Sequence, residues 1–142
     1  MAEPQNIDVL NRLLELEYRS LPMYLAGTSY WTHIGDERAT AVFEQIVADQ
    51  KVMAGRLADL IFDRGGLIDS GTFSMQFTDM HMLSLDYLIR ELVNWQRYTI
   101  AEIEKCIAGL SKDPEARHLA QETLGSERGH LDNLLETIKE LV

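Results

Sequence analysis

The stretch Gly65 to Thr78, GGLIDSGTFSMQFT, decides how this chain folds. Its 14 residues carry little helical pattern and stand between two pairs of strongly helical segments. Before it, apolar residues recur at helical spacing over about residues 6–33 (Leu10, Leu14, Leu21, Leu25, Thr28) and about 36–64 (Phe43, Ile46, Leu57, Leu60, Ile61). After it, the same period runs over about 79–109 (Leu85, Leu92, Thr99, Ile103, Cys106) and about 114–142 (Leu119, Thr123, Leu134, Ile138, Leu141). The outer joints, Ile34-Gly35 and Leu110 to Asp113, are short, so each pair of helices runs antiparallel. A helix of roughly 28 residues is about 42 Å long, and fourteen extended residues reach at most about 46–50 Å. The middle stretch can therefore travel the length of a bundle and start the third helix beside the start of the second. The expectation is an all-α four-helix bundle with one long crossover between helices two and three, as a single domain over residues 1–142.

Local signals agree. Asp36, Thr78 and Asp113 can each cap a first turn, and Pro114 suits a helix start. Gly65-Gly66 and Gly109 mark helix ends. Pro22 lies inside the first segment, frees the carbonyl of Tyr18 and predicts a kink there.

Composition bounds the function. The chain has 142 residues, 46% of them hydrophobic, enough for one buried core. A net charge of −10 repels phosphate backbones, which argues against nucleic-acid binding. The start, MAEPQNID, lacks a basic n-region and an apolar run, so no signal peptide is expected. No apolar run is long enough to span a membrane. The single Cys106 cannot form an internal disulfide, and a cytoplasmic setting fits.

Each helix carries polar residues near its midpoint, on the apolar stripe. Glu17 falls between Leu14 and Leu21; Gln50 and Met53 fall between Ile46 and Leu57. Gln96 falls between Leu92 and Thr99; Glu127 and His130 fall between Thr123 and Leu134. Midpoints of antiparallel helices meet at one level, so these six side chains should converge in the core. Two carboxylates at one level repel unless a cation or proton lies between them. Oxygen and imidazole donors suit iron, manganese or zinc. Gly125 and Gly129 flank the Glu127-x-x-His130 turn and suggest a close neighbour or simple packing.

Three stretches, LELEYRSLPMYL (14–25), ADQKVMAGRLADLIFDRGG (48–66) and ETLGSERGHLDNLLETI (122–138), carry a further signal. Through them the chain resembles the bacterioferritins and the wider ferritin-like family. That resemblance implies a dinuclear iron site built from a Glu, a Glu-x-x-His, a Glu and a second Glu-x-x-His. Glu17, Glu127 and His130 match the pattern, whereas Gln50, Met53 and Gln96 replace a Glu, a His and a Glu. Tyr24 stands like the tyrosine often found near such sites. The family pattern offers four carboxylates to two ions, and this chain offers two carboxylates, enough to neutralise one. The expectation is one divalent metal ion (iron, zinc or manganese) at Glu17, Glu127 and His130, with Gln50, Met53, Gln96 and Tyr24 auxiliary, and without rapid ferroxidase activity. The family's haem-ligating Met would fall at Lys51, so no haem is expected. The short fifth helix of storage ferritins is not found after helix four, so a homodimer is expected rather than a 24-subunit cage.

Other readings stay open. The polar residues could satisfy one another in a metal-free bundle that dimerises or binds a partner. Met53 with His130 could take a soft metal, and His33, Met80, His81 and Met82 could form a copper(I) group. The outer Glu102, Glu104 and Glu136 read as solvated surface.

Overall fold

A computed structural model describes residues 4–26, 37–82 and 85–141. Five α-helices occupy them: α1 (Pro4–Tyr18), α2 (Leu21–Ala26), α3 (Glu37–Asp63), α4 (Leu85–Ala108) and α5 (Pro114–Leu141). No strand occurs among the described residues, and none of their helices is long and apolar enough to cross a membrane. α1 packs against α3 and α4, and α5 packs against the same two helices, so the four long helices enclose one core.

The crossover is confirmed by what it touches. α3 ends in a Schellman turn: Gly66 N–H donates to the Ile61 carbonyl and Gly65 N–H to that of Phe62, with Gly65 at φ 73°. Gly66 lies tight against Ile7, near the start of α1. The chain then climbs α1. The Asn11 amide donates to the Leu67 carbonyl and accepts the Asp69 N–H. Arg19 donates to the Gly71 carbonyl and the Ser70 hydroxyl. Phe73 and Phe77 finally meet Tyr24 of α2, with ring centroids 5.5 and 5.7 Å away. From Ile7 to Tyr24 the loop has passed along the bundle.

Two boundaries differ from the sequence reading. Over its described residues the first segment is two helices rather than one kinked helix, broken at Arg19-Ser20 ahead of Pro22. Pro22 has no N–H, so the chain restarts with Ser20 as cap: its hydroxyl accepts the Met23 N–H. The third helix begins at Leu85, because Met75–Met82 forms a 3₁₀ helix that seats Phe77 in the core. Thr78 donates to the Met75 carbonyl inside that element rather than capping a helix. Asp113 does cap α5, accepting the Ala116 N–H, and it also pairs with Arg64 at the end of α3. Asp36 and the Ile34-Gly35 joint lie outside the described residues.

The core has two apolar blocks. One holds Leu10, Leu14, Met53, Leu57, Ile103 and Ala120. The other holds Leu21, Leu25, Phe43, Ile46, Leu92 and Leu134. Between them sits a buried layer that is polar. Glu102, expected on the solvated surface, is only 18% exposed at its side chain and pairs with Arg12, tying α4 to α1.

Candidate metal centre

The layer is centred on Glu127, which is fully buried. Its Oε2 accepts hydrogen bonds from Gln50 Nε2 and Gln96 Nε2, each at 3.0 Å. Gln96 Nε2 also lies 3.0 Å from the Glu127 carbonyl, which holds that amide in place. His130 follows one turn later on α5, and its Nδ1 lies 2.5 Å from Glu127 Oε1. The far nitrogen, Nε2, lies 2.8 Å from Asp49 Oδ2 on α3. Asp49 is the partly exposed member of this chain, with 39% of its side chain accessible.

Glu17 completes the group from α1. It is buried at 1% exposure beside Glu127. Burial, then repulsion by Glu127, then the hydrogen bond between the two acids raise its pKa well above the usual carboxylate value. Burial opposes charge on His130, but its bonds to Glu127 and Asp49 outweigh that, so its pKa is raised. Both shifts favour the protonated forms of Glu17 and His130.

The structure brings together five of the residues expected here: Glu17, Gln50, Gln96, Glu127 and His130. Met53 joins the apolar block below the layer, where it packs with Leu14 and Leu57. Tyr24 joins the aromatic cluster above, edge-on to Phe73 at an interplanar angle of 76°. Gly125 and Gly129 have no close neighbour, since a Cβ at either would meet nothing within 4 Å. His33 and the side chains of Met80, His81 and Met82 lie outside the described residues.

Two participants escaped the sequence reading. Asp49 precedes Gln50 and falls beside the apolar stripe on a helical wheel; only the packing of α3 against α5 shows that it reaches His130. Ser20 lies two residues before Pro22, a pattern that signals a helix restart. Its hydroxyl donates to Gln50 Oε1 at 2.6 Å.

Carboxyl, amide and imidazole groups of this kind are donors that divalent cations accept. Glu17 Oε2 and Gln96 Oε1 are buried and receive no hydrogen bond. Asp49 can hold the Nε2–H of His130 and so aim the Nδ1 lone pair at the acids, a common support for a metal-binding histidine. In the present arrangement the acids and the imidazole bond to one another, and no group of three or more His, Cys, Asp or Glu among the described residues is arranged to hold a metal ion.

A family model described as ferritin-like domain matches residues 7–142. The chain belongs to the ferritin-like domain family. Comparison with curated proteins finds no match. The ferritin-like match takes in α1 from Ile7 on, the other three long helices, the crossover and every residue of the polar layer.

Proposed function

We propose that this ferritin-like bundle binds a single divalent metal ion (iron, manganese or zinc) through Glu17, Glu127 and His130. In kind it resembles the bacterioferritins, with half of their dinuclear ligand set retained. The observation that carries this reading is the 2.5 Å contact between His130 Nδ1 and Glu127 Oε1, with Glu17 against the same carboxyl, in a dry layer.

Charge decides the number of ions. With Glu17 and His130 protonated and Glu127 ionised, the trio is neutral. When Glu17 and His130 give up their protons, the trio carries −2 and one divalent ion restores neutrality. The exchange is an ion for about two protons, and neither state leaves uncompensated charge in the core. A second divalent ion would have no counter-charge, because Gln50 and Gln96 are neutral and turn N–H groups toward Glu127. A bound iron ion would supply redox chemistry one electron at a time; manganese or zinc would supply fixed charge. Paired two-electron iron oxidation is not expected of such a site.

Elemental analysis of the purified protein tests this. Stoichiometric iron, manganese or zinc in the wild type, lost in both Glu127→Ala and His130→Ala, supports the proposal. Calorimetric titration in buffers of different ionisation enthalpy should report release of about two protons per ion. A wild type that takes up no metal after reconstitution would leave the layer as a metal-free network. A homodimer is proposed separately, with the exposed Val52 and Phe62 of α3 as the contacts to test.

A further inference from the structure

Ser20 spends its single proton in one direction. Its Oγ already accepts the Met23 N–H at 3.2 Å, as the cap of α2. Its own hydrogen therefore goes to Gln50 Oε1, 2.6 Å away. That bond fixes which end of the Gln50 amide faces the core: Nε2 points at Glu127 Oε2, at 3.0 Å. Gln96 Nε2 meets the same oxygen from α4. Glu127 Oε2 is thus covered by two N–H donors, while Oε1 faces His130. With the Gln50 amide reversed, Oε1 would face a carboxylate oxygen, and two acceptors would abut in a buried layer.

The break ahead of Pro22 makes this arrangement available. In an unbroken helix a serine hydroxyl commonly bonds back to the carbonyl four residues earlier, here that of Leu16. Ending α1 at Tyr18 and restarting at Leu21 turns the Ser20 hydroxyl toward α3 instead.

We propose that Ser20 is a positioning residue whose hydroxyl holds the Gln50 amide N–H toward Glu127, leaving Oε1 as the oxygen of Glu127 through which a cation binds. Its consequence for the cation rests on the site reading given above. Ser20 thereby sets selectivity, because it turns the Gln50 carbonyl away and withholds an oxygen donor from the ion. Manganese favours oxygen ligands more than zinc does, so releasing Gln50 should favour manganese.

Two readouts test it, using the full chain. The first needs no metal: the Gln50 side-chain NH₂ signals in NMR, assigned by their loss in Gln50→Met. In wild type and Ser20→Thr these protons should exchange slowly with water; in Ser20→Ala exchange should speed up about tenfold or more. The second is calorimetric titration with manganese(II) and zinc(II). Ser20→Ala should raise the manganese-to-zinc affinity ratio about tenfold, Ser20→Thr should keep the wild-type ratio, and Ser20→Ala should have no effect on it in a Gln50→Met background. Unchanged Gln50 exchange in Ser20→Ala overturns the proposal, as does a ratio shift that persists without Gln50. If the wild type binds neither metal, the site reading fails, while the Gln50 signals still decide the role of Ser20.

Discussion

His130 Nδ1 stands 2.5 Å from Glu127 Oε1, one turn earlier on the same helix, inside a layer closed to water. Spacing of three residues puts both side chains on one face. In most helices such a pair would be exposed and worth a fraction of a kcal/mol. Here the bundle buries it, so the two groups depend on each other.

Removing the imidazole should therefore cost far more than a surface pair would. His130→Ala leaves the Glu127 carboxylate without its cationic partner and should destabilise the metal-free protein by about 3–5 kcal/mol. Glu127→Gln in the His130→Ala background should recover part of that loss, because the stranded charge is gone. Urea unfolding of the two variants in the presence of a chelator measures both effects.

The crossover has a narrow point at Gly71. Its φ of 68° disfavours any side chain, and a Cβ there would collide with the Glu15 carboxyl. Gly71→Ala should cost about 1–2 kcal/mol from the backbone alone, plus the displacement of Glu15. Adding Glu15→Ala should relieve the collision and leave the backbone cost. Thermal unfolding of the single and double variants separates the two.

Asp113 sets an acid limit on stability. Its bond to Arg64, aided by the Ala116 N–H and Asn6, holds its pKa down to about 2, from an ordinary value of 3.8. A depressed folded pKa means that this stabilisation is complete above 3.8 and is lost as pH falls toward about 2. Asp113→Ala should remove that acid-side dependence and also cost about 1 kcal/mol at neutral pH, since the α5 cap goes with it. Unfolding free energies measured from pH 2 to 7 would show a flatter acid limb in the variant.

Restoring the missing donors should raise the capacity of the layer. The Gln50→Glu, Met53→His, Gln96→Glu triple variant supplies four carboxylates and two imidazoles, and should hold two divalent ions per chain instead of one. Elemental analysis after reconstitution gives the count. A correctly folded triple variant that still holds one ion would mean that Met53 lies too deep in its apolar block to reach the layer.

Self-association should depend on α3. Phe62 is 73% exposed and Val52 66% exposed on its outer side. Phe62→Lys should shift the protein from dimer to monomer in analytical ultracentrifugation, with its helical circular dichroism unchanged. A wild type that sediments as a monomer at high concentration would remove the dimer.

The sequence by itself determined the architecture and the level of the site. Helical periodicity in four segments, short outer joints and a middle stretch just long enough to run the bundle leave little choice of topology. Polar residues placed on apolar stripes then had to meet, because burial enforces the stripe. Tertiary structure alone decided who pairs with whom. Periodicity says which face a residue is on but not what lies across from it, so the reach of Asp49 to His130 and the turn of Ser20 toward Gln50 were invisible along the chain. Pro22 was legible as a disruption, but whether it bends a helix or splits it depends on a partner for the freed serine, and α3 provides one in Gln50. Met53 and Tyr24 share the helical register of the layer, yet their apolar bodies settle into the blocks below and above it. Periodicity fixes the face those two residues share, and hydrophobic burial, which acts on apolar area, decides which neighbours each one covers.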